Sequence, residues 1–136
     1  MIKIIVAYLI LTVLFYSYCI ATAQPEDKVI GTASWYSKAS CLKESGQFIM
    51  ANGKELDDAK FTCASWDYKF GTILKITNLQ NGKSILVKTT DRGPIKKLRQ
   101  QGRIVDLSRA AFSAIADLKQ GVIPVEVIPI CTSNST

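Results

Sequence analysis

The residue best placed for chemistry is Asp91, which ends the extended stretch 84–94, SILVKTTDRGP. Ile85, Val87 and Thr89 alternate with Leu86, Lys88 and Thr90, and β-branched residues dominate, a pattern that predicts a strand. Gly93 and Pro94 then stop it, because glycine permits backbone angles that other residues avoid and proline has no N–H for a sheet ladder. A carboxylate held on rigid backbone beside an enforced turn suits a catalytic acid. The same position suits a turn cap, with Asp91 accepting from backbone amides. The residues alone leave both roles open.

Several short elements must position this strand. Residues 29–36, VIGTASWY, form a first strand ending in Trp35 and Tyr36, rings that either pack a rim or lie against a sugar. Residues 37–48 have no clear period and form a loop holding Cys41. In 49–58, IMANGKELDD, Asn52-Gly53 is a turn, and the charges at Lys54, Glu55, Asp57 and Asp58 suit a solvated face. FTCASWDYKFG, 61–71, starts apolar and gives way to Trp66, Asp67 and Tyr68. Asn81-Gly82 predicts a hairpin joining a strand at 72–77 to the Asp91 strand. After Pro94, IKKLRQQGR is a basic loop. Residues 104–107 return to the core, and Asp106 or Ser108 caps a helix whose apolar face carries Leu107, Ala110, Ala111, Ala114, Ile115 and Leu118. Gly121 ends that helix, and 122–130 is a last strand interrupted by Pro124 and Pro129. So many short strands with one or two short helices predict a mainly β domain closed into a barrel, which removes exposed sheet edges.

The chain opens with Lys3, an apolar run from Ile4 to Ile20 and then Ala21-Thr22-Ala23, the layout of a secretory signal peptide cut after Ala23. The competing expectation is a retained anchor, since that run nearly spans a bilayer. Cys19 follows the bulky Tyr18, which does not suit lipidation. Removing 1–23 leaves 113 of the 136 residues, enough for one domain with its own core. The expected organisation is a signal peptide (1–23), a flexible lead-in (24–28), the barrel (29–130) and a polar tail (131–136). The chain carries +6, seventeen Lys and Arg against eleven acids; without Lys3 it is sixteen against eleven, or +5. This modest excess suits an anionic partner such as a cell-wall polymer or a membrane surface and is also common for solubility alone, and the lack of a basic run interleaved with aromatics argues against nucleic acid. With no His and no CxxC, no zinc site or other metal site is expected, and no cofactor. In an oxidising compartment Cys41 and Cys63 are expected to pair, with Cys131 left over.

Taken in order, GTASWYS, MANGKELDD, FTCASWDYKFGT, LKITNLQNGKS, VKTTDRGP and GRIVDLSRAAFSAIADL resemble the rare lipoprotein A family of bacterial cell-envelope proteins. The resemblance covers about 31–130 and implies a six-stranded double-psi β-barrel. It further implies lytic transglycosylase activity on peptidoglycan glycan strands, preferring strands without stem peptides. Such an enzyme protonates the oxygen between N-acetylmuramic acid and N-acetylglucosamine and closes the muramyl C6 hydroxyl on C1 to give a 1,6-anhydro end. Asp91 matches the family's catalytic Asp.

Two positions depart from the family pattern. Lys54 stands where the family commonly has Glu, with Glu55 next to it, and Ser65 stands where it commonly has His. The expected catalytic set is Asp91 supported by Glu55 and Ser65, with Trp35, Tyr36, Asn52, Lys54, Trp66, Tyr68 and Arg92 as substrate contacts. The expected location is outside the cytoplasm, periplasmic or extracellular, without stable membrane insertion once the leader is cut, and cell-division or envelope proteins are candidate partners. The competing function is a non-catalytic, expansin-like module that grips wall polysaccharide through the same groove. A secreted effector or inhibitor is a third class, which no residue selects.

Overall fold

The computed structural model describes residues 1–8, 10 and 27–130. Residues 2–8 are helical, and among the described residues no helix is long and apolar enough to cross a membrane. The expected cleavage point after Ala23, Cys19, Cys131 and the tail lie outside the described residues.

Six strands close into a barrel: β1 (Val29–Tyr36), β2 (Thr62–Ala64), β3 (Ile73–Asn78), β4 (Ser84–Asp91), β5 (Arg103–Ser108) and β6 (Val122–Ile130), in the spatial order β1-β5-β2-β4-β3-β6. Two pairs are parallel, β1 with β5 and β2 with β4, and the other four are antiparallel. This is the double-psi arrangement. Alternation fills the interior: Leu74 and Ile76 from β3, Val87 and Thr89 from β4, Val105 and Leu107 from β5, and Ile123, Val125 and Val127 from β6 are buried. The intervening Leu86 and Lys88 face outward. The expected Asn81-Gly82 hairpin joins β3 to β4, with Thr77 opposite Ser84.

Both parallel pairs carry a register irregularity just before an acidic residue. On β4 it skips Thr90 and brings Asp91 opposite Ala64; on β5 it skips Ile104, two residues before Asp106. Bulges of this kind re-aim side chains at barrel rims.

Three short helices accompany the barrel: α1 (Lys38–Ser45), α2 (Lys96–Gln100) and α3 (Arg109–Ile115). The first two replace segments expected as loops. Apolar periodicity missed α1 because it buries no residue, and its signal lies in its caps. Ser37 and Ser40 bond reciprocally at its start, and Gly46, at φ 71°, closes its end. Ser108, not Asp106, caps α3, its Oγ accepting from Ala111 N at 3.4 Å. α3 adds Ala111, Phe112 and Ile115 to the core and stops at Ile115; Gly121 instead ends a separate 3₁₀ turn, Leu118–Gln120.

The expected Cys41–Cys63 disulfide is not formed, and both residues are free thiols. Cys63 points from β2 into the sealed barrel, with Sγ 3.8 Å from Thr89 Oγ1, whereas Cys41 sits on α1 outside the barrel wall. Burial pushes the Cys63 thiol up to about 12.

Candidate active site

β4 delivers Asp91 to the rim of the barrel, where it lines an open groove of about 550 Å³. Asp91 Oδ1 accepts from two backbone amides, Ala51 N and Arg92 N, each at 2.8 Å. The turn-capping role expected as an alternative is therefore real. It uses one carboxylate oxygen and leaves Oδ2 for the groove.

Arg92 does not put its charge on this carboxylate. Its guanidinium donates to Ser65 O and Tyr68 O at 2.8 and 2.9 Å and stacks 3.9 Å from the centre of the Phe70 ring, which pins the 65–70 loop. Gly93 is needed for space, since its φ is not positive. A Cβ there would meet Ala64 Cβ at 3.2 Å and Asp106 Oδ2 at 3.3 Å.

That contact exposes the residue that sequence reasoning assigned only to helix capping. Asp106 lies in the same groove as Asp91. Its parallel partner on β1 is Ser34, whose hydroxyl donates to Asp106 Oδ1 and accepts from Arg103 NH1 at 3.1 Å. Burial raises the Asp106 pKa above the ordinary carboxylate value; the Ser34 hydrogen bond and the Arg103 charge pull it down, and the charges of Asp91 and Glu44 push it up. The groove thus holds three carboxyl groups, those of Asp91, Asp106 and Glu44, and of the two on either side of β2 one is held by backbone amides and the other is buried against Ser34 and Arg103.

Around them the groove is amphipathic. The Trp66 ring is 52% exposed at the rim, fixed by its Nε1 donating to Pro94 O at 2.8 Å, with exposed Ile95 beside it. Trp35 Nε1 donates to Leu118 O at 3.1 Å, which turns that ring partly into the core. Tyr36 lines the groove with its hydroxyl buried and without a hydrogen-bond partner. Burial, with the Asp91 charge adding to it, raises the Tyr36 pKa well above the ordinary phenol value, so the hydroxyl stays a neutral donor.

The sequence profile of the family described as lytic transglycolase matches residues 28–127. The chain belongs to this family. Relatives named endolytic peptidoglycan transglycosylase RlpA include those of Campylobacter jejuni, 35% identical over 89% of this chain and 40% of theirs, and Vibrio cholerae, 37% identical over 78% and 37%. The Pseudomonas aeruginosa relative of the same name is 36% identical over 74% of this chain and 27% of its own. The chain thus spans two-fifths or less of the length of these curated relatives. Among solved structures, the Streptomyces papain inhibitor (TM-score 0.59, 21% identity, 79% of this chain and 98% of that one) shares the fold. So does a Clavibacter michiganensis expansin in complex with cellohexaose (TM-score 0.56, 21% identity, 80% and 53%).

The side chains at which this member of the lytic transglycolase family departs from the expected pattern do not reach the Asp91 carboxylate, although Ser65 N donates to the Asp91 backbone oxygen at 3.1 Å. Ser65 is fully buried, its Oγ accepting from Asp67 N at 3.3 Å, and is closed off from the groove. Glu55 points away and reaches Lys38 at 3.9 Å. Asn52, Lys54 and Glu55 line a second cavity on the far side of the 50–56 loop, and Tyr68 packs against the core. The structure therefore brings together Asp91, Arg92, Trp35, Tyr36 and Trp66 from the expected set, and adds Asp106, Ser34 and Arg103. The signal for Asp106 lay in IVDLS, an acid placed inside a strand where a cap was not needed.

Proposed function

We propose that this chain is an exported, envelope-located endolytic transglycosylase. Its substrate is the glycan strand of peptidoglycan, cut between N-acetylmuramic acid and N-acetylglucosamine, with strands lacking stem peptides preferred. The observation that carries this reading is the pair Asp91 and Asp106 in one open groove of a lytic transglycolase family member. The relatives' names supply the polymer.

In this mechanism Asp106, whose pKa burial raises, gives a proton to the glycosidic oxygen as the C1–O bond breaks. The muramyl C6 oxygen closes on C1, and its proton passes to Asp91 Oδ2. One carboxyl loses the proton that the other gains, no water enters the product, and exchange with solvent resets the pair. Trp66 offers a face to the sugar ring.

The test is incubation of the protein with sacculi stripped of peptides, with the products separated by chromatography. The expected result is release of 1,6-anhydro-ended glycans by wild type and none by Asp91→Asn or Asp106→Asn. Wild-type protein that sediments with sacculi yet releases no anhydro ends would falsify cleavage and leave the wall-binding function.

A further inference from the structure

A second cavity, of about 350 Å³, lies on the flank of the barrel between the 50–60 loop and the outer face of β2 and β4. Three lysines line it, Lys54, Lys60 and Lys88, and among the described residues none of their ammonium groups is within ion-pair distance of a carboxylate. The two acids in its wall are engaged elsewhere: Glu55 reaches Lys38, and Asp57 Oδ1 accepts from Ala59 N at 3.0 Å. The wall therefore carries three lysines against two carboxylates, an excess of one positive charge, and no lysine in it is ion-paired with either acid. Thr62, in its wall, has a buried Oγ1 with no hydrogen-bond partner, and Phe61 offers a partly exposed ring beside it. An unpartnered hydroxyl in the wall and three lysines without a salt bridge, in net excess over the two acids, fit an anion with some apolar surface.

We infer that this cavity is a carboxylate-binding subsite for the polymer whose glycan chain occupies the Asp91 groove. Its identity as a wall carboxylate rests on the proposed function; its preference for an anion does not. The two sites adjoin. Thr62 lines the cavity and Ala64, two residues along β2, lines the groove, a step of about 7 Å at 3.3 Å per residue. On β4, Thr90 belongs to one and Asp91 to the other. A polymer lying in the groove can therefore place a pendant acid over the lysines. Two groups of this polymer have that chemistry, the lactyl carboxylate of a bare muramyl residue and the carboxylates of a stem peptide.

The experiment is an NMR titration of the ¹⁵N-labelled full-length chain with three probes: N-acetylmuramic acid, its methyl ester, and a stem tripeptide. The amides of Phe61, Thr62 and Lys88 are followed. One of the two acids is expected to shift these amides saturably, the ester not, and Lys60→Gln/Lys88→Gln is expected to weaken that binding at least fivefold. Both lysines are exposed, so the fold survives the change. A response to N-acetylmuramic acid identifies the lactyl group; a response to the tripeptide alone identifies the stem and contradicts the proposed preference for strands lacking stem peptides. Equal response to acid and ester, or none to either acid, overturns the subsite. Glycan cleavage is measured in parallel: selective acid binding in a chain that cuts no glycan supports the subsite and removes the transglycosylase function instead.

Discussion

Asp91 and Asp106 lie on either side of one residue, Ala64, which registers with Asp91 on the parallel neighbour β4 and with Asp106 on the antiparallel neighbour β5. Two strand spacings set their backbones about 10 Å apart. Because β2 is a three-residue strand clamped between them, their separation is fixed by sheet geometry and not by loop conformation. A sugar ring held over Ala64 would have one carboxyl on each side.

Replacing either acid is therefore expected to remove a different proton transfer. Asp106→Asn should lower turnover by about 10²- to 10⁴-fold, the usual range for a lost general acid, as should Asp91→Asn. The measurement is the rate of anhydro-end formation, with circular dichroism to show that the fold persists. Wild-type rates in Asp106→Asn would remove Asp106 from the chemistry.

Asp106 also makes stability depend on pH in a direction its environment sets. Its folded pKa is raised, so the fold binds this proton more tightly than the unfolded chain does. Stability from this group is full below the unfolded value of about 3.8 and is lost as pH rises through the folded value. Asp106→Asn should flatten this part of the curve, which urea melts across the acidic range will report.

Ser34 and Arg103 both pull the Asp106 pKa down. Ser34→Ala or Arg103→Gln should therefore raise it further, and the alkaline limb of the rate profile should move to higher pH. A limb that stays in place, or moves lower, contradicts the assignment of that limb to Asp106.

At Gly93 the added methyl of Ala would press on Ala64 and on the Asp106 carboxyl together. Overpacking of this kind costs about 1–3 kcal/mol, and here it displaces the proton donor as well. Gly93→Ala should lower the urea midpoint and reduce turnover by more than the unfolded fraction explains.

The two thiols should behave differently. Cys63 is fully buried with its thiol held up at about 12, while Cys41 is partly exposed in the groove. Alkylation of the native protein without reductant should label Cys41 and spare Cys63 until urea is added. A mass two protons short at these positions would restore the disulfide.

The linear order of residues determined much of this protein. Period-two alternation marked β4, Asn81-Gly82 marked the hairpin, and the turn after Asp91 marked the rim, because these signals are local and each is carried by a few neighbouring side chains. α1 escaped that logic, since a helix with no buried face leaves only its Ser37 and Gly46 caps to announce it. The partners of Asp91 escaped it for a stronger reason. Ala64, Asp106 and Ser34 are scattered along the chain, and only closure of the barrel in the order β1-β5-β2-β4 sets them side by side. Closure likewise turned Cys63 inward and Glu55 away, and it buried Ser65. A residue's type and neighbours decide what it can do, but which distant residue it faces is decided by strand order and register, and those arise from packing the whole core at once.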